Sequence, residues 1–406
     1  MKATSLSRDP LSALVRYNKQ FVGDGRDPAW LRAKLDRLCA SPFGFLRGTF
    51  HLFVADWPSD GDDPLSAGAP QPIVGDLHLE NFGAFRAADG AVVFDVNDFD
   101  ETGLGTPALD LARLCTSFVL TDDKHGDARA VERIASLCDA WLAAVRSLDL
   151  RPVDAREAPP PVRALLASAD DASRGAWLEQ RIAGAAGQRH FTPSEKYQPV
   201  ADAALRAALV AGVREFGAGC RDRPAEVAEW PRVLDVAVRV AGTGSLGRFR
   251  WAVLIEGKSG KLGKERILEL KEALPSSLSP QETGDPAQHV ITQQRRLQAA
   301  PPAFLGVAHV GSRACTVREL QPTEAKLDAT KIKGADLDAL AGACGMALGR
   351  LHRRVDHELP ARLEGRDRAL RRRMAAFALA YAERVADDHA LLRARRPEIE
   401  RALGLA

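Results

Sequence analysis

The chain has 406 residues, of which 46% are hydrophobic and 27% charged, and its formal net charge at pH 7 is +2. A chain of this length exceeds the usual size of one domain, so we expect two lobes with sizeable cores. The near-neutral charge excludes a global field that would attract nucleic acid or an anionic membrane surface.

Cysteine spacing and hydropathy exclude further classes of protein. No pair of the 6 cysteines has the C-x-x-C spacing and no histidine cluster accompanies them, which argues against a zinc site. No apolar run approaches the length of a membrane span, and the N-terminus lacks the apolar core of a secretory leader. We therefore predict a cytoplasmic protein that binds neither membrane nor nucleic acid. The sequence leaves its oligomeric state open.

The first half of the chain is predicted to be mostly helical. Residues 9–56 carry apolar residues at helical spacing, with Pro28 at a helix start, and residues 57–70 have the composition of a loop. Two short strands are expected in this half, at 72–74 and 91–96. A long helical stretch follows from Pro107 to Leu150, and residues 151–230 are predicted to form helices and loops.

The pattern changes to period two after residue 231, which indicates strands. A helix is expected at 287–299, and the remainder from Leu337 is predicted to be helical. The predicted strands are 233–241, 248–256, 266–273, 304–309 and 314–320. This segment is therefore predicted to form five strands and one helix.

The first group of chemically suggestive residues lies in GDLHLENFG and the following VFDVNDFDET. Asp76 and Asn81 stand five positions apart, and Asp98 follows an apolar strand. Phosphoryl transfer needs one carboxylate to accept the proton of the attacking hydroxyl, and oxygen ligands to hold Mg²⁺ on the nucleotide phosphates. We assign the first role to Asp76 and the second to Asn81 and Asp98. The alternative is that these acids only cap helices and turns.

The second group is a G-x-G-x-x-G motif that begins at Gly242 and is followed by the strand-like RFRWAVLI. A dinucleotide-binding loop opens a helix, whereas a kinase-like loop is the tip of a β-hairpin over the triphosphate, so the following strand favours the hairpin. A plain glycine-rich turn remains an alternative. The residues expected to contact the nucleotide here are Gly242, Thr243, Gly244, Ser245 and Gly247. Lys271, on the next strand, is expected to reach its inner phosphates.

These motifs, with SPFGFLRG, LELKEA and VREL, resemble a bacterial family of unknown function in the protein-kinase-like superfamily. The segment from Asp98 to Asp110 is similar to the metal-binding segment of aminoglycoside and choline kinase-like phosphotransferases. In ordinary kinases the glycine-rich loop and the lysine precede the catalytic loop. Here they follow it, so the resemblance implies a circular permutation.

The resemblance implies an α+β, bilobal protein-kinase-like fold with a five-stranded antiparallel small lobe and a mostly helical large lobe. Residues 1–231 would carry the catalytic and metal-binding loops, 232–325 would form the small nucleotide-binding lobe, and 326–406 would complete the helical lobe. Asp110 would be buried and brace the catalytic loop through backbone N–H groups. Glu319, in the VREL block, is assigned to the cofactor site.

The implied activity is an ATP- and Mg²⁺-dependent phosphotransferase that acts on a hydroxyl of a small molecule. Nucleotidyl (AMP) transfer with ATP bound in reverse, and an ATP-binding pseudokinase, remain alternatives. The helix expected after the lysine strand contains no carboxylate to pair with Lys271. Gln294 and Asp285 are the candidates to replace it.

Overall fold

The computed structural model describes residues 8–58, 69–122, 126–220, 230–241, 246–257, 263–281, 283–322 and 324–405. Within these ranges the chain is a mixed α+β protein. None of the helices there combines the length and the apolar character that crossing a membrane requires.

The helices account for most of the regular structure. In chain order they are α1 Pro10–Asn18, α2 Pro28–Ala40, α3 Pro42–Gly48, α4 Phe50–Asp56, α5 Pro107–Thr121, α6 Gly126–Arg146, α7 Pro160–Asp170, α8 Arg174–Glu179, α9 Ala203–Gly219, α10 Pro286–Leu297, α11 Ala335–Val355, α12 Leu359–Arg362 and α13 Asp367–Ala402. The predicted helix start at Pro28 is confirmed, because Asp27 accepts a hydrogen bond from Ala29 N and Pro28 occupies the first turn.

The strands form one large antiparallel sheet and three small ones. In chain order they are β1 Gln71–Ile73, β2 Phe82–Arg86, β3 Val92–Val96, β4 Gly103–Gly105, β5 Ile182–Ala183, β6 His190–Phe191, β7 Tyr197–Pro199, β8 Val233–Arg239, β9 Arg250–Ile255, β10 Arg266–Glu272, β11 Gly306–Val310, β12 Arg313–Leu320 and β13 Ala325–Lys326. The large sheet has the order β11-β12-β10-β9-β8-β7.

The large sheet has six strands, so the prediction of five was wrong. The five expected strands are present, and β7 adds a sixth by pairing antiparallel with β8. Tyr197 is the only residue of β7 whose side chain is buried, and Pro199 ends the strand. A three-residue strand with one apolar anchor shows no period-two pattern, and it lies in a segment predicted to contain helices and loops.

Alternation along β10 divides the sheet into two faces. Leu268 and Leu270 belong to one core cluster, which α9 completes, whereas Ile267 belongs to a second cluster on the opposite face. Successive side chains of a strand point to opposite faces, so Glu269 and Lys271 project from the same face as Ile267. The largest core lies outside this sheet and is built from the helices and the short strands β1 to β3.

Strand β3 carries a buried carboxylate, Asp95, whose side chain is 4% exposed and accepts a hydrogen bond from Val96 N. Burial raises the pKa of Asp95 to about 7, although the Val96 N–H and the charges of Arg354 and Arg350 oppose that shift. The native state therefore binds a proton more tightly than the unfolded state between about pH 4 and 7. The contribution of Asp95 to the free energy of unfolding therefore falls as the pH rises from about 4 to 7.

We expect Asp95→Asn to stabilise the fold at high pH, because the amide keeps the acceptor for Val96 N without a buried charge. Its advantage over the wild type should grow between pH 5 and pH 8, at about 1.4 kcal/mol per unit of pKa shift. Urea denaturation of both proteins across this range measures the difference. An equal difference at pH 5 and pH 8 would contradict the assigned ionisation.

Candidate functional site

A cleft opens between the large sheet, α10 and the two loops that carry the predicted acidic residues. It encloses about 1560 Å³ of space between protein atoms, its open mouth included. The predicted site residues that line it are Asp76, Asn81, Asp98 and Lys271.

Helix α5 holds the loop that carries Asp76. Asp110, which is fully buried, accepts hydrogen bonds from Val74 N and Gly75 N, both at 2.8 Å. Further along the same helix, Arg113 binds Asp76, and Ser117 Oγ accepts a hydrogen bond from Leu79 N of the loop at 3.1 Å. The predicted bracing role of Asp110 is confirmed.

Two side chains behind Asp110 fix its orientation. Trp141 Nε1 donates to His352 Nδ1 at 3.1 Å, and His352 Nε2 lies 3.2 Å from Asp110 Oδ2. Since indole nitrogen is only a donor, Nδ1 is the acceptor and the proton sits on Nε2, which donates to Asp110. All three side chains are fully buried. The loop is thereby tied to the core of the helical part of the chain.

Gly75 brings the loop against the segment that follows Asp98. Its φ is +87°, a conformation that favours glycine, and a Cβ there would lie 2.2 Å from the carbonyl oxygen of Glu101. No other residue fits this contact without moving the backbone. The two acidic segments are therefore held together at Gly75.

Asp76 is bound by a buried arginine. Arg113 Nε donates to Asp76 Oδ1 at 2.9 Å, and a second N–H of the same guanidinium donates to the same oxygen. Burial raises the pKa of Asp76 to about 6, against the lowering effect of Arg113. The carboxylate is thus mostly ionised at neutral pH and close to the range in which a general base works best.

Asn81 and Asp98 flank Asp76 in the cleft. Asn81 Nδ2 donates to the backbone oxygen of Asp76, and the Asp98 side chain is 41% exposed. Among the described residues no group of three or more His, Cys, Asp or Glu side chains is arranged to hold a metal. Mg²⁺ is commonly bound through one or two carboxylates together with substrate phosphates, and one carboxylate with one amide oxygen fits that donor set. Asp95 does not line the cleft.

Lys271 reaches the acidic side of the cleft. Its Nζ lies 3.6 Å from Asp98 Oδ1, and it also forms an ion pair with Asp100. The prediction that Lys271 and Asp98 share one cleft is confirmed. Lys271 thus pairs with Asp98 and Asp100, and not with Gln294 or Asp285, which were the predicted candidates. Gln294 instead donates to Gln298, and Asp285 caps α10.

The other residues predicted to contact the nucleotide either lie away from the cleft or fall outside the described residues. Residues 242–245, with Gly242, Thr243, Gly244 and Ser245, are not described. The strands on either side of this motif, β8 and β9, are antiparallel partners, as the predicted hairpin requires. Gly247 faces Phe21, and the Glu319 side chain pairs with Arg174 and Arg266 away from the cleft lining.

Several charged residues of the cleft were not predicted. Arg248 lies 3.0 Å from Glu101, while Arg250, Glu269 and Arg318 project from the sheet. Arg250 stands opposite Lys271 in the β9–β10 register. The sheet face to which its side chain points could therefore have been inferred from strand alternation once Lys271 was assigned. The Arg113–Asp76 pair had no comparable signal in the sequence.

Fold and site together define an α+β protein with a cleft in which acidic loops face a basic sheet wall. The chain belongs to a bacterial family described as "uncharacterized protein conserved in bacteria (DUF2252)", whose family model matches residues 26–395. The match includes every cleft residue discussed above. No curated protein and no solved structure matches the chain.

We expect Asp110→Ala to destabilise the protein by roughly 3–9 kcal/mol, because three buried donors, two backbone and one from His352, lose their acceptor at about 1–3 kcal/mol each. Asp110→Asn is the matched control, since its carbonyl oxygen still accepts from one donor and should limit the loss. Urea denaturation gives both values. An Asp110→Ala variant as stable as Asp110→Asn would show that these bonds contribute little.

Proposed function

We propose that this protein is an ATP- and Mg²⁺-dependent transferase that moves a phosphoryl or nucleotidyl group to a hydroxyl of a small molecule. The observation that carries the proposal is the convergence of Asp76, Asn81, Asp98 and Lys271 in one cleft. These residue types supply the proton acceptor, the metal ligands and the phosphate-binding cation that such transfer uses.

Each residue has one role in this proposal. Asp76 accepts the proton of the attacking hydroxyl, and its bond to Arg113 holds the carboxylate in position. Asn81 and Asp98 would hold Mg²⁺, whose charge would offset that of the phosphates. Lys271 binds phosphate oxygens and exchanges its present partners, Asp98 and Asp100, for them.

We further propose that the fold is protein-kinase-like and circularly permuted, in a cytoplasmic protein. The order supports this, because the β8–β9 hairpin, the Lys271 strand β10, helix α10 and strands β11 and β12 follow the acidic loops along the chain. Gln321 then joins the end of β12 to the helical part, since its side chain exchanges two hydrogen bonds with the backbone of Arg86, at 2.9 and 3.0 Å.

We expect ATP with Mg²⁺ to raise the melting temperature of the wild type. A ligand that binds only the native state adds about 2.7 kcal/mol at a hundredfold excess over its Kd. Asp98→Ala should lose most of this gain, whereas Asp95→Asn, which leaves the cleft lining intact, should keep it. Identical melting curves with and without Mg-ATP for the wild type would contradict nucleotide binding.

Asp76→Asn should retain Mg-ATP binding and lose roughly 10²- to 10⁴-fold in transfer rate, because an amide cannot accept the hydroxyl proton. In the wild type, kcat/KM should rise with pH up to about 6 and then level off, as Asp76 ionises. Label transfer from ATP to an acceptor measures the rate. A fully active Asp76→Asn variant would remove Asp76 from the mechanism.

A further inference from the structure

The sheet wall of the cleft carries two arginines, one of which, Arg250, is buried. Arg250 stands opposite Lys271 on β9, and Arg318 stands opposite Glu269 on β12, so all four side chains project from one face of the sheet. All four also line the cleft. Arg250 is 7% exposed and Glu269 only 1%. This end of the cleft is therefore desolvated and charged.

One carboxylate is shared among several of these cations. Glu269 accepts a hydrogen bond from Arg318 at 3.1 Å, forms an ion pair with Arg239, and lies 3.7 Å from Arg250. Arg318 also pairs with Glu324 at 2.8 Å. Three guanidinium groups thus face two carboxylates.

Two of the arginines in the cleft have donors that find no acceptor in the described part of the chain. The Nε atoms of Arg248 and Arg250 are buried and have no hydrogen-bond partner among the described residues. A buried donor without an acceptor costs about 1–3 kcal/mol, and more for a charged group. A bound anion would supply the missing acceptor. Guanidinium groups match phosphate oxygens in geometry as well as charge.

A nucleoside base is poorly suited to this wall. Bases bind by stacking on aromatic or apolar faces, and here the sheet offers buried charges. The aromatic side chains of the cleft, Tyr17, Phe50, Phe85 and Phe99, belong to α1, α4, β2 and the loop after β3 instead. The aromatic side chains of the cleft therefore lie outside the sheet wall.

We infer that a nucleoside triphosphate binds with its terminal phosphates on Arg250 and Arg318 and its base away from the sheet. This inference rests on the proposed function and selects nucleotidyl over phosphoryl transfer. The acceptor oxygen attacks the α-phosphorus, its proton passes to Asp76, and the bond from the α-phosphorus to the bridging oxygen breaks. Pyrophosphate leaves with that electron pair and remains opposite the arginines, which stabilise its charge.

The direct test uses the wild-type protein with Mg²⁺, a small-molecule extract, and ATP labelled at either the α- or the γ-phosphate. The expected result is α-label on the acceptor with one pyrophosphate released per transfer. Transfer of the γ-label would overturn the inference while leaving the proposed transferase function in place. If the wild type binds neither Mg-ATP nor Mg-tripolyphosphate, the proposed function itself fails.

A binding test does not depend on finding the acceptor. Calorimetric titration with Mg-ATP and with Mg-tripolyphosphate should show that Arg250→Gln and Arg318→Gln weaken both ligands by the same factor, roughly 10- to 100-fold. Loss of ATP affinity with unchanged tripolyphosphate affinity would place the base on this wall and overturn the inference.

Arg239→Gln is the matched control for the binding test. Arg239 shares Glu269 but does not line the cleft, so its loss disturbs the ion-pair network without removing a phosphate contact. This variant should bind tripolyphosphate close to the wild-type affinity. If it binds as weakly as Arg318→Gln, the effect belongs to the network and the inference is overturned. Arg250→Lys, which keeps the charge, should fall between wild type and Arg250→Gln.

Discussion

The arrangement of the cleft depends on one helix face. Asp110, Arg113 and Ser117 stand at positions i, i+3 and i+7 of α5, which places them on one side of the helix. From there Asp110 and Ser117 bind the backbone of the Asp76 loop at three points, and Arg113 binds the Asp76 side chain. Because a rigid helix carries all three contacts, the position of the carboxylate follows from the position of α5. His352 and Trp141 extend this support into the core.

The acidic and basic halves of the cleft balance each other across the two parts of the fold. Lys271 on the sheet pairs with Asp98 and Asp100 from the loop after β3, and Arg248 pairs with Glu101 in the same segment. Charges that are removed from water are costly unless they are paired, so each side stabilises the other without ligand. A metal-bound nucleotide would have to exchange these contacts for its own.

Residue spacing and strand alternation were sufficient to predict the cleft residues that lie within short local motifs. Asp76, Asn81 and Asp98 stand in short motifs, and the position of Lys271 follows from a period-two strand after a hairpin. Partners from distant segments were beyond this kind of prediction. Arg113 meets Asp76 through the packing of a helix on a loop, and the arginines of the sheet wall meet through a register that only the folded sheet defines. The sixth strand, β7, was not predicted for another reason, because three residues are too few to show a period-two pattern.

Asp76 and its partner Arg113 are close in sequence and are synthesised at nearly the same time. Lys271 is synthesised much later than its partners Asp98 and Asp100. Contacts between distant segments form only after both segments exist, and chains fold during synthesis from the N-terminal side. The Asp76 loop and α5 can therefore meet on the nascent chain before the sheet and His352 are made. Asp98 and Asp100 meet Lys271 only after the lysine strand emerges, so the cleft is completed late and a truncated chain would hold an acidic half-site without its basic wall.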